Sequence, residues 1–333
     1  MEEVTGGGHM EEVLERPRRG ASSKDLELRF RAEPVPWWNL FIGWIGMVLG
    51  TELTELTRVT TESVPGDLIT VAAIANGEAD FGFTTPPVCA AMGFHGKGVF
   101  ENKLDGLRAV ANFPHDDRLI WAVPKEFGVR SIGELRDAKV RVALAGKGSP
   151  VGFAVENVLA GYGMPRGELE AGGWEFKESD YLFGAISMVA RGEADMIVHE
   201  GRKTPPWGQL LRAREMTFLP ISEDVIESMV AQYGFRRGIL SSGMLGGAVT
   251  EDLPTLDWSG WLLFTHAGLD EDLVYRVTRI IAEQKHLFEW AFRGQPLETS
   301  DLVWPIEART LCNDVDIPLH PGAARYYGEH GYL

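Results

Sequence analysis

The order of apolar and polar positions along the chain predicts alternating strands and helices. Apolar and charged residues alternate at 26–30, as they do in a strand. Further strands are predicted at 59–64, 79–83, 107–113, 119–123, 140–144, 174–176, 194–198, 216–219 and 258–265. Helices are predicted at 38–56, 68–75, 151–159, 182–191, 206–214, 224–233, 270–292, 301–311 and 322–327, with a short helix at 132–135 and the start of a further one at 84–87. This alternation is typical of an α/β fold with mainly parallel sheets flanked by helices.

A repeated motif predicts two lobes of related architecture. Ile74–Thr85 (IANGEADFGFTT) and Val189–Glu200 (VARGEADMIVHE) each combine a helix end, Gly-Glu-Ala-Asp and a strand. We expect residues 25–113 and 258–333 to form lobe 1, residues 114–257 to form lobe 2, and residues 1–24 to be poorly ordered. Alternatively, the motif only ends a helix.

Residues directly after these strands face the crevice at the carboxyl ends of the sheet, where α/β proteins bind ligands. They are Thr84 and Thr85 in lobe 1 and His199 and Glu200 in lobe 2. The alternatives are that the threonines cap the following helix and that His199 is an ordinary polar residue at a strand end. Because neighbouring strand residues point to opposite faces, we do not expect His199 and Glu200 to act as a direct pair.

The segment Lys139–Gly161 predicts a strand, a turn and a helix. Ser149 suits the N-cap and Pro150 the first helical position. The amides of the turn, the helix dipole and the side chain of Lys147, together with Gly148 and Ser149, would form a small anion site. The turn does not match a nucleotide P-loop. The alternative is an ordinary turn with a solvated lysine.

Composition limits the classes of function. The chain has 333 residues, of which 44% are hydrophobic, enough for two domains or one large α/β unit. Its formal net charge of −16 argues against nucleic-acid binding. Cys89 and Cys312 lack metal-ligand spacing, so we expect two buried thiols and no metal site. No apolar run is long enough for a membrane span, and the first residues lack the pattern of a secretion signal.

Several stretches resemble the TAXI group of solute-binding proteins, the extracytoplasmic receptors of TRAP transporters. They are residues 77–83, 107–135 and 139–149, Leu273–Ile281 (LVYRVTRII) and Pro318–Gly331 (PLHPGAARYYGEHG). The resemblance covers roughly residues 25–333. It implies a two-lobed periplasmic-binding-protein-like fold with a small carboxylate ligand in the cleft, no cofactor, and TRAP permease membrane subunits as partners. Location would be periplasmic if a signal peptide was removed, and otherwise cytoplasmic.

The resemblance also directs attention to the start of the first helix, where Pro36-Trp37-Trp38-Asn39 replaces the family's Gly-rich segment and Tyr-Pro. Trp38 would stack on the ligand and Asn39 would hydrogen-bond to it. Arg118 would pair with a carboxylate, or else with Asp116 or Asp117. The full set of predicted ligand contacts is Trp38, Asn39, Thr84, Thr85, Arg118, Lys147, Gly148, Ser149, His199, Glu200, Lys203 and Trp207.

Two functions remain open at this point. The first is a receptor that captures a small organic anion, such as an aromatic carboxylate or an amino acid, by lobe closure. The second is a cytoplasmic enzyme on the same scaffold, a decarboxylase or lyase of a small carboxylate, with His199 or Glu200 as the acid or base.

Overall fold

The computed structural model describes residues 26–34, 36–53, 55–64, 66–146, 148–179, 183–200, 205–295 and 300–333. Its strands are β1 Leu26–Ala32, β2 Leu56–Ser63, β3 Phe81–Thr84, β4 Leu107–Phe113, β5 Ile120–Pro124, β6 Arg141–Leu144, β7 Glu175–Glu178, β8 Met196–His199, β9 Met216–Phe218, β10 Arg236–Leu240, β11 Leu253–Asp257 and β12 Trp261–His266. Its α-helices are α1 Pro36–Glu52, α2 Asp67–Ala75, α3 Val88–His95, α4 Pro150–Gly161, α5 Arg166–Ala171, α6 Gly184–Ala190, α7 Pro205–Ala213, α8 Glu223–Tyr233, α9 Glu271–Glu283, α10 Lys285–Trp290 and α11 Pro321–Glu329.

Two five-stranded mixed sheets form the centres of the two lobes. The sheet of lobe 1 has the strand order β2-β1-β3-β12-β4, and that of lobe 2 has the order β7-β6-β8-β5-β9. In lobe 1, β1 runs parallel to β2 and β3, whereas β12 is antiparallel to its neighbours. In lobe 2, β6 runs parallel to β7 and β8, whereas β5 is antiparallel to its neighbours. The predicted two-lobed α/β fold is confirmed.

Helix α1, a largely apolar segment, packs on the sheet of lobe 1. One face of the helix is buried, and the ring of Phe41 lies 4.9 Å from that of Phe113, 5.1 Å from that of Phe288 and 5.8 Å from that of Trp261. Such aromatic packing fixes the helix against β4, β12 and α10. No described helix has the length and apolar character needed to cross a membrane.

The Gly-Glu-Ala-Asp motif forms the same contact in both lobes. In lobe 1, Asp80 accepts hydrogen bonds from the amide of Arg29 at 2.7 Å and from its Nη2 at 3.0 Å. In lobe 2, Asp195 accepts from the amide of Arg141 at 3.0 Å and from its Nη2 at 2.7 Å. Each aspartate precedes a strand and fixes it to its parallel neighbour, so the motif aligns β3 with β1 and β8 with β6.

Two antiparallel segments connect the sheets. The amide of Leu119 donates to the carbonyl of Leu256 at 3.0 Å, and that of Trp258 donates to Asp117 at 3.0 Å. The hairpin of β10 and β11 beside them was not predicted, because Gly238 and Pro254 interrupt the strand pattern.

The helix predicted over 301–311 is wrong. The structure has only a short 3-10 turn at Ala308–Thr310. Pro305 cannot donate a helical hydrogen bond. Two other donors are used elsewhere: the amide of Val303 binds the carbonyl of Pro114 at 2.7 Å, and that of Ile306 binds Glu289 Oε1 at 2.7 Å. The predicted helix over 270–292 is divided at Gln284 into α9 and α10.

Candidate ligand site between the lobes

Three carboxylates meet between the lobes and form what we call the acidic cluster: Glu33, Asp67 and Glu200. Glu33 follows β1, Asp67 is the first residue of α2, and Glu200 follows β8 of lobe 2. The charge of Glu200 acts on both lobe 1 carboxylates. The cluster thus lies at the carboxyl ends of parallel strands, where α/β folds bind ligands.

Asp67 is held firmly on one side and unpartnered on the other. Its Oδ2 accepts from Thr84 Oγ1 at 3.1 Å and from the amide of Thr85 at 2.6 Å. Its Oδ1 is buried and has no hydrogen-bond partner among the described residues. Only 1% of the residue is exposed. Burial raises the pKa of Asp67 to about 8, because the donors from Thr85 and Thr84 offset only part of the desolvation and Glu200 adds to it.

Glu33 lies beside Asp67 and is 9% exposed. Burial raises the pKa of Glu33 well above its usual range, and the charges of Asp67 and Glu200 raise it further. The main-chain N–H of Asp67 donates to the Glu33 carboxylate and opposes this rise only in part. The first turn of α2 therefore holds both lobe 1 carboxylates in one place.

Glu200 brings the third carboxylate from lobe 2. Its Oε2 is buried, has no hydrogen-bond partner among the described residues, and lies 3.5 Å from His199 Nδ1. Its carbonyl contacts His199 Nδ1 and accepts from Trp207 Nε1 at 3.2 Å. The expectation that the side chains of His199 and Glu200 point apart is wrong, because β8 ends at His199 and the strand alternation stops there. His199 itself is fully buried.

The lobes touch at two glycines beside the cluster. The amide of Leu68 in α2 donates to the carbonyl of Gly148 at 3.3 Å. Gly66 has φ +101°, and a Cβ on it would lie 2.7 Å from the amide nitrogen of Ser149 and closer still to the carbonyl group of Gly148. Only a residue without a side chain permits this approach.

Helix α4 begins beside this contact as the sequence predicts. Ser149 is the N-cap, its Oγ accepts from the amide of Val151 at 3.2 Å, and Pro150 is the first helical residue. Lys147 and Lys203, both predicted to contact the ligand, lie outside the described residues.

The structure shows where four other predicted contact residues lie. Thr84 and Thr85 orient Asp67, as described above, and do not cap a helix. Trp38 is buried in lobe 1 and stacks on Phe83 at 5.7 Å, and its Nε1 has no partner among the described residues. Trp207 is buried in the core of lobe 2.

The structure places Asn39 on the surface and Arg118 at the segments that connect the sheets. Asn39 is exposed on α1. The Nη1 of Arg118 lies 2.9 Å from both Asp116 and Asp257, and its Nε donates to the carbonyl of Ile239 at 3.0 Å. Arg118 therefore joins the connecting segments to the hairpin, and its ion pair with Asp116 is the alternative foreseen from the sequence.

Sequence reasoning missed Glu33 and Asp67. Glu33 lies three residues beyond the predicted strand 26–30, and it directly follows β1 only because the strand extends to Ala32 in the structure. Asp67 lies just before the predicted helix 68–75, whereas the structure begins α2 at Asp67, with Gly66 in the N-cap position. Its carboxylate instead turns toward the end of β3.

Two mixed sheets with their carboxyl ends facing across a cleft define a two-lobed fold of the periplasmic-binding-protein type. More particularly, the chain belongs to the NMT1-like family, whose match spans residues 42–331. The matched residues include most strands of both sheets. They also include two members of the acidic cluster, Asp67 and Glu200.

Several solved structures are similar to this chain at low sequence identity. XAC2383 from Xanthomonas citri bound to chloride has a TM-score of 0.53 at 12% identity, covering 91% of this chain and 99% of that one. Its ATP-bound form has a TM-score of 0.51 at 11% identity, covering 91% and 98%. PhnD1 from Prochlorococcus marinus in complex with methylphosphonate has a TM-score of 0.49 at 11% identity, covering 92% and 99%.

Proposed function

We propose that the protein is a solute-binding protein that captures a small molecule between its lobes. One observation carries this proposal: polar groups of both lobes converge beside the contact of Gly66 with Gly148. A solute held there would be enclosed when the lobes meet. Exclusion of water then strengthens every polar contact with the solute.

The unpartnered atoms in the cleft support a binding role. Asp67 Oδ1 and Glu200 Oε2 are buried acceptors without hydrogen-bond partners among the described residues. A buried polar atom without a hydrogen bond raises the free energy of the folded protein by about 1–3 kcal/mol. A bound solute that donates to these oxygens would recover that free energy, so the cleft favours an occupied state.

Within this role, the ligand is a small carboxylate, such as an amino acid or an aromatic acid, and the protein delivers it to a TRAP-type permease on the periplasmic side. The resemblance to TAXI receptors supports both parts of this assignment. The capped start of α4 supports the carboxylate, because a helix N-terminus favours negative charge.

The lyase or decarboxylase alternative assigns proton transfer to His199 or Glu200. His199 is fully buried and its Nδ1 faces the carbonyl of Glu200. A general acid or base must reach the reacting atom. The geometry therefore argues against His199 in this role.

A thermal-shift screen with amino acids, dicarboxylates and aromatic carboxylates tests the proposal, with calorimetry and mass spectrometry of every hit. We expect one chemical class to raise the Tm, to bind in a one-to-one ratio and to be recovered intact. Small-angle X-ray scattering should show a smaller radius of gyration with the hit than without it. Consumption of the hit would refute the receptor, and the absence of any binding solute would refute solute capture.

A further inference from the structure

We propose that the acidic cluster of Glu33, Asp67 and Glu200 is a subsite for a positively charged amine, and that the lobes close on the ammonium group of the solute. This inference rests on the proposed function and specifies the chemistry of its ligand. Combined with a carboxylate at the start of α4, it describes a zwitterion such as an amino acid.

The first argument is the distribution of charge across the cleft. Glu33 and Asp67 belong to lobe 1 and Glu200 to lobe 2, and their like charges act on one another. Among the described residues, no lysine or arginine forms an ion pair with any of the three, although most other ion pairs of the chain join an acid to an arginine. Closing the lobes therefore brings carboxylates together, and an inserted cation would reverse that repulsion.

The second argument is the unpartnered buried oxygens. Asp67 is 1% exposed, and its Oδ2 is already occupied by two donors of the protein, so its Oδ1 is the atom left for a ligand. Glu200 Oε2 is likewise buried without a hydrogen-bond partner in the described chain. An ammonium group has three donors and no acceptor, so it is suited to buried oxygens that lack a donor, such as Asp67 Oδ1 and Glu200 Oε2.

The third argument distinguishes an amine from a metal ion. The described residues contain no group of three or more His, Cys, Asp or Glu side chains arranged to hold a metal. Metal sites need several ligand atoms within about 2.0–2.6 Å of one point. Hydrogen bonds to an ammonium group span about 2.7–2.9 Å and require no closed shell of ligands.

The test uses sets of three compounds with one carbon skeleton. L-phenylalanine, 3-phenylpropionate and phenethylamine form one set; L-leucine, 4-methylpentanoate and isoamylamine form another; L-alanine, propionate and ethylamine form a third. Calorimetry of the full-length protein should show that the best-binding set loses affinity by about 10- to 100-fold when the amine is removed. Removal of the carboxylate should leave measurable binding.

Isosteric variants locate the effect. Glu200→Gln and Asp67→Asn remove charge with little change of shape. Each should lower the affinity for the amine-bearing compounds by at least about tenfold and leave the affinity for the deaminated acid unchanged. Glu178→Gln is the matched control, since Glu178 is an exposed acid at the end of β7, in the sheet that Glu200 follows, but outside the cluster. The control should bind like the unmodified protein.

A measurement without ligand completes the test. At pH 9, where the cluster is most charged, Glu200→Gln should make the ligand-free protein more compact in small-angle X-ray scattering, and Glu178→Gln should not. Deaminated acids binding as tightly as the amines, or cluster variants with unchanged affinity, would overturn the amine subsite and leave solute capture intact. An unchanged radius of gyration of the ligand-free Glu200→Gln variant would also contradict the amine subsite. If no solute binds at all, the proposed function itself fails.

Discussion

Replacement of Gly66 by alanine should impair closure of the lobes without unfolding either of them. The alanine Cβ would lie 2.7 Å from the amide nitrogen of Ser149 and nearer still to the carbonyl of Gly148. Both of those atoms belong to the backbone of lobe 2, which cannot rotate away as a flexible side chain would. The lobes must therefore separate locally.

The size of the effect follows from these contacts. Ordinary carbon–carbon contacts lie at about 3.5–4.0 Å, so the Gly148 backbone must retreat by about 1 Å or more. The hydrogen bond from Leu68 to Gly148, already 3.3 Å long, would then exceed bonding distance. Its loss costs about 0.5–1.5 kcal/mol in the closed form alone. Because 1.4 kcal/mol is a factor of ten, we expect ligand affinity to fall by about two- to tenfold.

A second glycine provides the matched control. Gly173 has φ +98°, close to the +101° of Gly66, but a Cβ there meets only the flexible side chain of Lys139 at 3.4 Å. Gly173→Ala therefore introduces similar backbone strain, about 1–3 kcal/mol, without a clash between the lobes. Urea denaturation should show a comparable loss of stability in both variants.

The assay compares the radius of gyration and ligand affinity of the two variants. Gly66→Ala should stay more expanded with ligand and bind it more weakly, whereas Gly173→Ala should match the unmodified protein in both measurements. Equal affinity and equal compaction of Gly66→Ala and the unmodified protein would refute the idea that this contact closes the cleft.

Three further predictions concern stability, each measured by urea denaturation. Because the pKa of Asp67 is raised from 3.8 to about 8, the native state binds more protons than the unfolded chain in that range. The free energy of unfolding should fall as pH rises from about 4 to about 8, and Asp67→Asn should flatten this slope; an unchanged slope would contradict the assignment. Asp195→Asn should cost about 1–3 kcal/mol because it removes charge-assisted bonds from Arg141, and a cost below about 0.5 kcal/mol would show that the motif does not hold the strands. Ser149→Ala should cost about 1 kcal/mol while Ser149→Asp, which keeps a capping oxygen, should cost less; equal losses would argue against the cap.

The comparison of sequence and structure is clearest at three places. The cap at Ser149 and Pro150 was predicted because its donor and acceptor lie two residues apart. The two Gly-Glu-Ala-Asp motifs predicted related lobes, since each has the same local pattern. The failed helix over 301–311 shows the opposite case, because Pro114 and Glu289 take its amide hydrogen bonds from distant parts of the chain.

By itself, the sequence determined the α/β alternation, the two related lobes and the crevice at the carboxyl ends of their strands, because hydrophobic period, turn residues and helix caps are local signals. The tertiary structure alone decided the character of the site. An aspartate after a turn has the same local pattern whether it caps its own helix or, like Asp67, binds Thr84 and Thr85. Glu33 and Glu200 lie far apart along the chain, and their mutual repulsion exists only once the two lobes meet.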